Sequence, residues 1–298
     1  MYDVVIIGGG AGGLAAALYS ARFMLKTLLI AKDFGGTGNI AHKVDNWIGE
    51  PGITGPELMQ KFVDHVKSYK VPMVEAEVLA VKKNGKNFVI VTNKKKFEAK
   101  TVIFANGMSH RKLNVSGEKE FAGKGVHYCY TCDLPIFAGK TVAIIGGSDS
   151  AALGTIFAEK YAKKIYVIYR GNKLRAEPVS AAKVYNMKKA QVIHNTNIVE
   201  IYGDRMVRGL KTDTGKDIKL DGVFVEIGYI PLSDLAKSLG VKLTEYGFVK
   251  VTKNQETNIS GIFAAGDISD ATTLKQFITS ASEGSIAAQS AYFHVRRK

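Results

Sequence analysis

Cysteine, proline and tryptophan are all scarce in this 298-residue chain, which has two cysteines, six prolines and one tryptophan. Two cysteines cannot form the disulfide framework of a small secreted domain. Few prolines combined with 9% aromatic residues exclude a disordered or fibrous protein. No apolar run is long enough to span a membrane, and the first residues lack the basic segment of a secretory signal. We therefore expect a cytoplasmic protein without membrane association.

Acidic residues are outnumbered, with 27 Asp and Glu against 41 Lys and Arg, a formal net charge of +14. Such a surface suits acidic partners, including nucleic acid. The lysines are largely scattered, however, and the run Lys94–Lys96 lies between two apolar stretches, residues 87–92 and 97–105, as a hairpin tip would. We expect no nucleic-acid partner. A hydrophobic fraction of 46% and the chain length indicate about two domains, each with a core.

A strand–glycine–helix pattern occurs twice, as VVIIGGGAGGLAAALYSAR near the start and as VAIIGGSDSAALGTIFAEK from Val142. Each copy has β-branched residues, a glycine cluster and then small residues suited to a helix. This is the opening of a dinucleotide-binding βαβ unit. Two copies far apart in one chain predict two dinucleotide-binding domains.

The first copy carries a complete set of glycines. Gly8 suits the tight turn, Gly10 the approach of backbone to a pyrophosphate, and Gly13 close packing of helix on strand. The next strand, residues 27–31, is followed by Asp33, a candidate for binding a ribose hydroxyl. Residues 32–54 show neither helical nor strand periodicity, and a loop of this length inside a compact domain is usually functional.

Both cysteines stand together in HYCYTCD, as Cys129 and Cys132. This spacing suits half of a metal site or a redox disulfide. Zinc needs two further ligands, and although His127 is available as a third, no second Cys pair or paired His spacing completes the set. We therefore expect no metal and favour a redox pair, in which the neighbouring Asp133 can carry the proton that leaves a thiol.

Nearly the whole chain resembles the low-molecular-weight thioredoxin reductases of bacteria and archaea. The shared motifs are GGGAGG, VDNWIG, TGPEL, C-x-x-C-D, VAIIGGSDSA and GIFAAGD, in this order. The resemblance implies an α/β fold with two Rossmann-like dinucleotide-binding domains of three-layer ββα architecture, one inserted in the other. Residues 1–110 and 245–298 would form the FAD domain, and residues 111–244 the NAD(P)-type domain that carries the cysteines.

The resemblance also implies a function. It describes a homodimeric enzyme that passes two electrons from a donor, with NADPH favoured, through FAD and the cysteine pair to a thioredoxin-like protein disulfide. Cys132 would face the flavin, the Cys129 thiolate would attack the protein substrate, and Asp133 would be the acid/base. The middle domain would rotate about the crossings at residues 107–113 and 240–247.

The positions that match the family's binding motifs form two sets. The FAD set is Gly8, Gly10, Ala11, Gly12, Gly13, Asp33, Gly36, Thr37, Asn46, Ala105, Gly107, Gly266, Asp267, Lys275, Gln276 and Phe277. The NADP set is Gly146, Ser148, Ala151, Arg170, Arg175 and Gly228.

The second motif departs from the family pattern, and these departures leave the electron donor open. Ser148 replaces the middle glycine, and Gly171 replaces one of two paired arginines. Arg170, Lys173 and Arg175 still form a positive cluster, and no carboxylate stands at the strand end, which favours a phosphate-bearing ligand over NADH. Reduced deazaflavin or ferredoxin is the alternative donor. A non-catalytic flavin-binding regulatory protein is a further alternative, against which the intact C-x-x-C-D argues.

Overall fold

The computed structural model describes residues 1–41, 44 and 46–296 of the chain. The strands are β1 Tyr2–Ile7, β2 Thr27–Ala31, β3 Met73–Glu75, β4 Val78–Asn84, β5 Asn87–Thr92, β6 Lys96–Phe104, β7 Met108–His110, β8 Val126–His127, β9 Thr141–Ile145, β10 Lys164–Ile168, β11 Ala190–Ile193, β12 Ile198–Gly203, β13 Val207–Thr212, β14 Asp217–Lys219, β15 Gly222–Val225, β16 Tyr229–Pro231 and β17 Ile262–Ala264. The α-helices are α1 Ala11–Arg22, α2 Gly55–Ser68, α3 Tyr130–Asp133, α4 Asp149–Ala158, α5 Pro178–Asn186, α6 Asp234–Ser238 and α7 Phe277–Arg296. Short 3-10 helices lie at Gly36–Ile40, Leu134–Phe137 and Gly266–Ile268.

The chain divides into two compact units. Unit 1 comprises Met1–Ser109 and Ile230–Lys298, and unit 2 comprises His110–Tyr229. The division places residues 230–244 in unit 1, whereas the sequence analysis assigned them to the inserted domain. The physical reason is packing, because Ala236 and Val241 are buried in the same apolar cluster as the strands of unit 1. The predicted hinge at residues 240–247 therefore lies inside unit 1, while β7 and β16, which connect the units, pair with each other.

Unit 1 is built on a parallel sheet in the order β3-β2-β1-β6, with β17 also pairing with β6. Because side chains alternate along a strand, each strand supplies both faces of the sheet. On β1, Val4 and Ile6 pack with α1, α2 and α7, whereas Val5 and Ile7 pack with the antiparallel strands β4–β6. Helices, parallel sheet and β-meander thus form three layers.

Unit 2 repeats this arrangement. Its parallel sheet has the order β11-β10-β9-β15-β8, and a separate antiparallel sheet has the order β12-β13-β14. On β9, Val142 and Ile144 pack with α4 and α5, whereas Ala143 and Ile145 pack with the antiparallel sheet. The predicted α/β class with two Rossmann-like units, one inserted in the other, is confirmed.

Local predictions from the sequence are met at two elements. The run of lysines at residues 94–96 closes the turn between β5 and β6, where the Thr92 N–H donates to the Lys95 carbonyl. The described part of residues 32–54 contains only the 3-10 helix and one bridge, between Val44 and Ile53, beside irregular backbone. Within the described chain, no helix is both long and apolar enough to cross a membrane.

Candidate dinucleotide and disulfide sites

The first glycine motif lies where parallel strands of unit 1 end side by side. In such sheets a ligand binds beyond the carboxyl ends of the strands. Gly8 follows β1 with a φ of 121°, and a Cβ on it would lie 2.1 Å from the Ala105 carbonyl oxygen, just after β6. A Cβ on Gly13 would lie 1.9 Å from the Gly8 oxygen. Only glycine permits this contact between β1, β6 and α1.

Gly10 differs from its neighbours, because a Cβ on it would meet nothing within 4 Å. It is the N-cap of α1, whose first turn holds no acidic residue. The free N–H groups and the positive end of the helix dipole therefore face open space, which suits a pyrophosphate. Gly36 has a φ of 54°, and a Cβ on it would lie 3.4 Å from the Gly10 Cα. The Asp33 carboxylate accepts the Gly36 N–H at 2.9 Å and shapes this loop.

Two polar groups on the other side of this edge point to a ligand. Asn106 Oδ1, between Ala105 and Gly107, is buried and has no hydrogen-bond partner in the part of the chain that the structure describes. An unpaired buried acceptor is costly unless a ligand satisfies it. Asn46 Nδ2 donates to Gln276 Oε1 at 2.7 Å and thereby ties the irregular loop to the start of α7.

Residues near the C-terminus complete this candidate dinucleotide site of unit 1, which we call the cradle. Gly266, with a φ of 76°, donates its N–H to the buried Glu283 carboxylate at 2.8 Å. Burial raises the pKa of Asp267, although Ser280 Oγ donates to Asp267 Oδ1 at 3.0 Å and opposes that shift. Lys275 Nζ donates to the Ser269 carbonyl at 2.6 Å, so its contact is with backbone of this loop.

The remaining members of the FAD set lie at the same edge. Ala11 and Gly12 are buried in the first turn of α1, and Thr37 is exposed in the 3-10 helix. A Cβ on Gly107 would meet no atom within 4 Å, and the Phe277 ring at the start of α7 lies close to Gly38. The cradle residues therefore fit a dinucleotide with a pyrophosphate, and the fit rests on Gly10, the bare helix end and Asn106.

The two cysteines of unit 2 form a disulfide, with their Cα atoms 5.4 Å apart. Cys129 is the N-cap of α3, and its Sγ accepts the Cys132 N–H at 3.2 Å. The Thr131 hydroxyl lies 3.3 Å from the same sulfur. Two polar groups, the Cys132 N–H and the Thr131 hydroxyl, therefore lie against the Cys129 sulfur.

A histidine that the sequence analysis considered only as a metal ligand contacts the residue after this pair. His127 Nδ1 lies 2.8 Å from Asp133 Oδ2. The pairing of β8 with β15 sets His127 beside Phe224, which places its ring on the same side of the sheet as α3. No group of three or more potential metal ligands occurs among the described residues.

The second glycine motif repeats the turn of the first but not its chemistry. Gly146 has a φ of 148°, and a Cβ on it would lie 2.1 Å from the Glu226 carbonyl oxygen. Ser148 is the N-cap of α4 and makes no side-chain capping bond. Asp149 lies in the first turn and accepts the Glu177 N–H at 2.7 Å. Its carboxylate places negative charge near the helix end where a pyrophosphate would bind.

The residues after β10 keep free positive charge. Arg170, Lys173 and Arg175 are exposed, and none forms an ion pair with another described residue. The Arg175 N–H donates to the Gly147 carbonyl at 2.6 Å, so backbone holds this cluster beside the motif. The last NADP candidates are Ala151, which is fully buried in α4, and Gly228, which has a φ of 93°. The cluster suits a phosphate group, whereas the helix end suits it less well.

Glu226 was missed by the sequence analysis, although it directly follows a strand of apolar residues. It is 3% exposed, and the Ser150 hydroxyl hydrogen-bonds to its carboxylate. Burial raises the pKa of Glu226 to about 7, and the Ser150 bond opposes that shift. The signal in the sequence is a carboxylate directly after the apolar strand β15. In the structure, the backbone carbonyl of this residue lies against Gly146.

We expect Glu226→Gln to remove a pH dependence of stability. The folded protein retains a proton on Glu226 between pH 4.5 and about 7, where the unfolded chain has released it. The wild type therefore loses of the order of 3 kcal/mol of unfolding free energy as pH rises through this window. Urea unfolding of both proteins across the window measures the difference. Parallel stability curves for the two would contradict this expectation.

Comparison with known proteins agrees with this arrangement. The family model of pyridine nucleotide-disulphide oxidoreductases matches residues 2–285. Thioredoxin reductase of Bacillus subtilis (strain 168) is 36% identical over 303 residues, with 99% of this chain and 95% of the relative covered. Lactococcus lactis thioredoxin reductase superposes with a TM-score of 0.93 at 32% identity, covering 100% of both chains. Thioredoxin reductase of T. acidophilum has a TM-score of 0.88 at 37% identity, covering 98% of both.

A ferredoxin-flavin thioredoxin reductase of Clostridium acetobutylicum is also similar, with a TM-score of 0.56 at 31% identity, covering 100% of this chain and 99% of that chain. The family match, the full-length identity and the redox disulfide agree with one another. The chain therefore belongs to the pyridine nucleotide-disulphide oxidoreductase family, as a flavoprotein oxidoreductase of the low-molecular-weight thioredoxin reductase type.

Proposed function

We propose that this enzyme binds FAD in unit 1 and reduces a disulfide of a thioredoxin-like protein through Cys129 and Cys132. The observation that carries the proposal is the disulfide between Cys129 and Cys132 at α3. The Cys129 sulfur accepts a hydrogen bond from the Cys132 N–H, and the carboxylate of Asp133 follows Cys132 directly in the sequence. The test is turnover of a thioredoxin by the purified holoenzyme with a chemical reductant as electron source. Absence of thioredoxin reduction by a yellow, folded protein would overturn it.

The chain's own residues would hold FAD at the cradle. The N–H groups after Gly10 would bind the pyrophosphate, Asp33 a ribose hydroxyl, and Asn106 and the Asn46–Gln276 pair polar groups farther along the molecule. When bound, FAD supplies the two-electron chemistry that links a donor to the disulfide.

The cysteines then exchange with the substrate in two steps. The Cys129 thiolate attacks one sulfur of the partner disulfide, forming a mixed disulfide and releasing the partner's other sulfur as a thiolate. Cys132 loses its proton, attacks Cys129 and releases the partner's second sulfur. Asp133 takes the Cys132 proton and passes it to a released thiolate. The products are the enzyme disulfide and the reduced partner, which holds one thiol and one thiolate, and the thiolate takes its proton from water.

We further propose NADPH as the donor, supported by the exposed cluster of Arg170, Lys173 and Arg175. The double variant R170A/R175A is expected to raise KM for NADPH about tenfold or more, because each charge-assisted hydrogen bond to phosphate contributes about 1.5–3 kcal/mol. The KM for NADH should not change. R205A, which removes an exposed arginine in the β12–β13 turn of the same unit, is the control. An unchanged KM for NADPH in R170A/R175A would contradict the assignment.

A second donor is favoured by Ser148, Asp149 and the net charge of +14. Ser148 and Asp149 suit a pyrophosphate poorly, and the basic surface suits an acidic protein donor such as reduced ferredoxin as well as a phosphorylated cofactor; reduced deazaflavin is the other candidate. Anaerobic addition of NADPH, NADH or reduced deazaflavin, with flavin bleaching as the readout, distinguishes the donors. Bleaching by NADPH alone supports the first donor, and bleaching by neither nicotinamide supports the second.

We also propose a cytoplasmic homodimer, as the resemblance to the family implies. Sedimentation of the holoenzyme measures the oligomeric state, and a monomer at micromolar concentration would contradict it. The regulatory alternative, a flavin-binding protein without turnover, would be supported only if the folded holoenzyme failed to reduce any disulfide.

A further inference from the structure

We infer that His127 is the positioning residue of Asp133, which it holds in one orientation by a hydrogen bond from Nδ1 to Oδ2. The inference rests on the proposed function, in which Asp133 exchanges the proton of the cysteine pair. The two atoms are 2.8 Å apart. Asp133 is about one-third exposed, with its side chain 35% exposed, so without this bond its carboxylate would be free to rotate toward water.

The imidazole is itself held firmly. It is 8% exposed, stacks on Phe224 with ring centroids 5.4 Å apart at 23°, and meets Phe137 edge-on at 5.4 Å and 76°. Phe224 belongs to β15, an interior strand of the parallel sheet, and Phe137 to the 3-10 helix that follows Asp133. Two rings on separate elements therefore fix the plane of the imidazole, and the plane fixes the direction of its N–H groups.

The contact with Asp133 determines which tautomer is present. His127 Nε2 is buried and has no hydrogen-bond partner among the described residues, so it is unpaired with or without a proton. An ionised carboxylate oxygen only accepts hydrogen bonds, so the ring nitrogen that faces it must be the donor. The proton therefore lies on Nδ1, from which it is donated to Asp133. One carboxylate oxygen is thus occupied, and the other remains available for the proton of a thiol.

Simple packing does not require histidine at this position. The side chain on β8 lies opposite Phe224 among apolar residues, where an apolar residue would fill the space without leaving a buried nitrogen unpaired. The polar ring is explained by its one hydrogen bond, and that bond goes to the residue next to Cys132.

The test compares H127N with H127L in the flavin-loaded protein. Asn and Leu have nearly the same size and remove the same ring packing, but only Asn retains an N–H near the position of Nδ1. The cysteine pair is reduced by dithiol, excess reductant is removed, and exchange with dithiobisnitrobenzoate is followed by stopped flow. We expect exchange about 10- to 100-fold slower in H127L and within about threefold of wild type in H127N.

Four outcomes overturn the inference. Equal slowing in both variants would assign His127 to packing, and wild-type rates in both would assign it no role in exchange. D133N separates the inference from the proposed function: slow exchange in D133N with a wild-type rate in H127L would defeat the inference alone. Wild-type exchange in D133N would remove the acid/base role on which both depend. H127F, which keeps a ring against Phe224 without the donor, replaces H127L if that variant fails to fold.

Discussion

Replacing Cys132 with Ser is expected to lower disulfide reduction by a factor of about 10³ or more, since removing one member of a covalent catalytic unit costs about as much as removing all of it. The chain has two cysteines, so no other thiol can close the enzyme disulfide. FAD should remain bound, because the cradle residues belong to unit 1 and Cys132 belongs to unit 2. Turnover and flavin absorption of C132S measure the two expectations.

The matched variant C129S should be equally inactive but should fail differently. In C132S the Cys129 thiol remains, with the N–H of residue 132 still directed at its sulfur, and it forms a mixed disulfide that nothing resolves. In C129S no such adduct should accumulate. Incubation with oxidised thioredoxin followed by non-reducing mass analysis distinguishes them. Full turnover by C132S, or an adduct on C129S and none on C132S, would contradict the assigned order of attack.

Replacing Gly10 with Ala is expected to weaken FAD binding at least tenfold, equivalent to about 1.4 kcal/mol, with no loss of stability in the apoprotein. A Cβ at Gly10 meets no protein atom within 4 Å, and its φ of −79° suits alanine. The methyl group therefore occupies space beside the free N–H groups of α1. Apoprotein stability should change little, because the reduced freedom of the unfolded chain with alanine is offset by the poorer N-capping of alanine at this position.

The control for this variant is G13A, in the same turn of the same motif. A Cβ on Gly13 would lie 1.9 Å from the Gly8 carbonyl oxygen, so G13A should lose stability and FAD affinity together. Titration of each apoprotein with FAD and thermal unfolding without FAD measure both quantities. Wild-type FAD affinity in G10A would show that the pyrophosphate does not approach this glycine.

Much of the fold was predictable because its signals are local. The two glycine motifs follow runs of β-branched residues and precede small residues, and each lies at the end of a parallel strand in the structure. The turn at residues 94–96 was likewise encoded within a few residues. Short-range preferences of this kind require no knowledge of distant contacts.

The second boundary of the inserted unit was not predictable in the same way. Residues 230–244 contain no linker-like composition, and their assignment depends on which core buries Ala236 and Val241. The role of His127 and the burial of Glu226 also depend on partners far along the chain, Phe224 and Ser150 among them. A sequence shows that these side chains exist but not what surrounds them.

The sequence by itself determined the fold class, the two dinucleotide motifs and the redox character of Cys129 and Cys132, because each depends on spacing within one short segment. Only the tertiary structure decided that Cys129 receives the hydrogen bonds, that His127 faces Asp133 and that Glu226 is buried with a raised pKa. The physical reason is that charge and proton chemistry depend on burial and on the orientation of hydrogen-bond partners, and spacing along the chain fixes neither, even where the partners are a few residues apart.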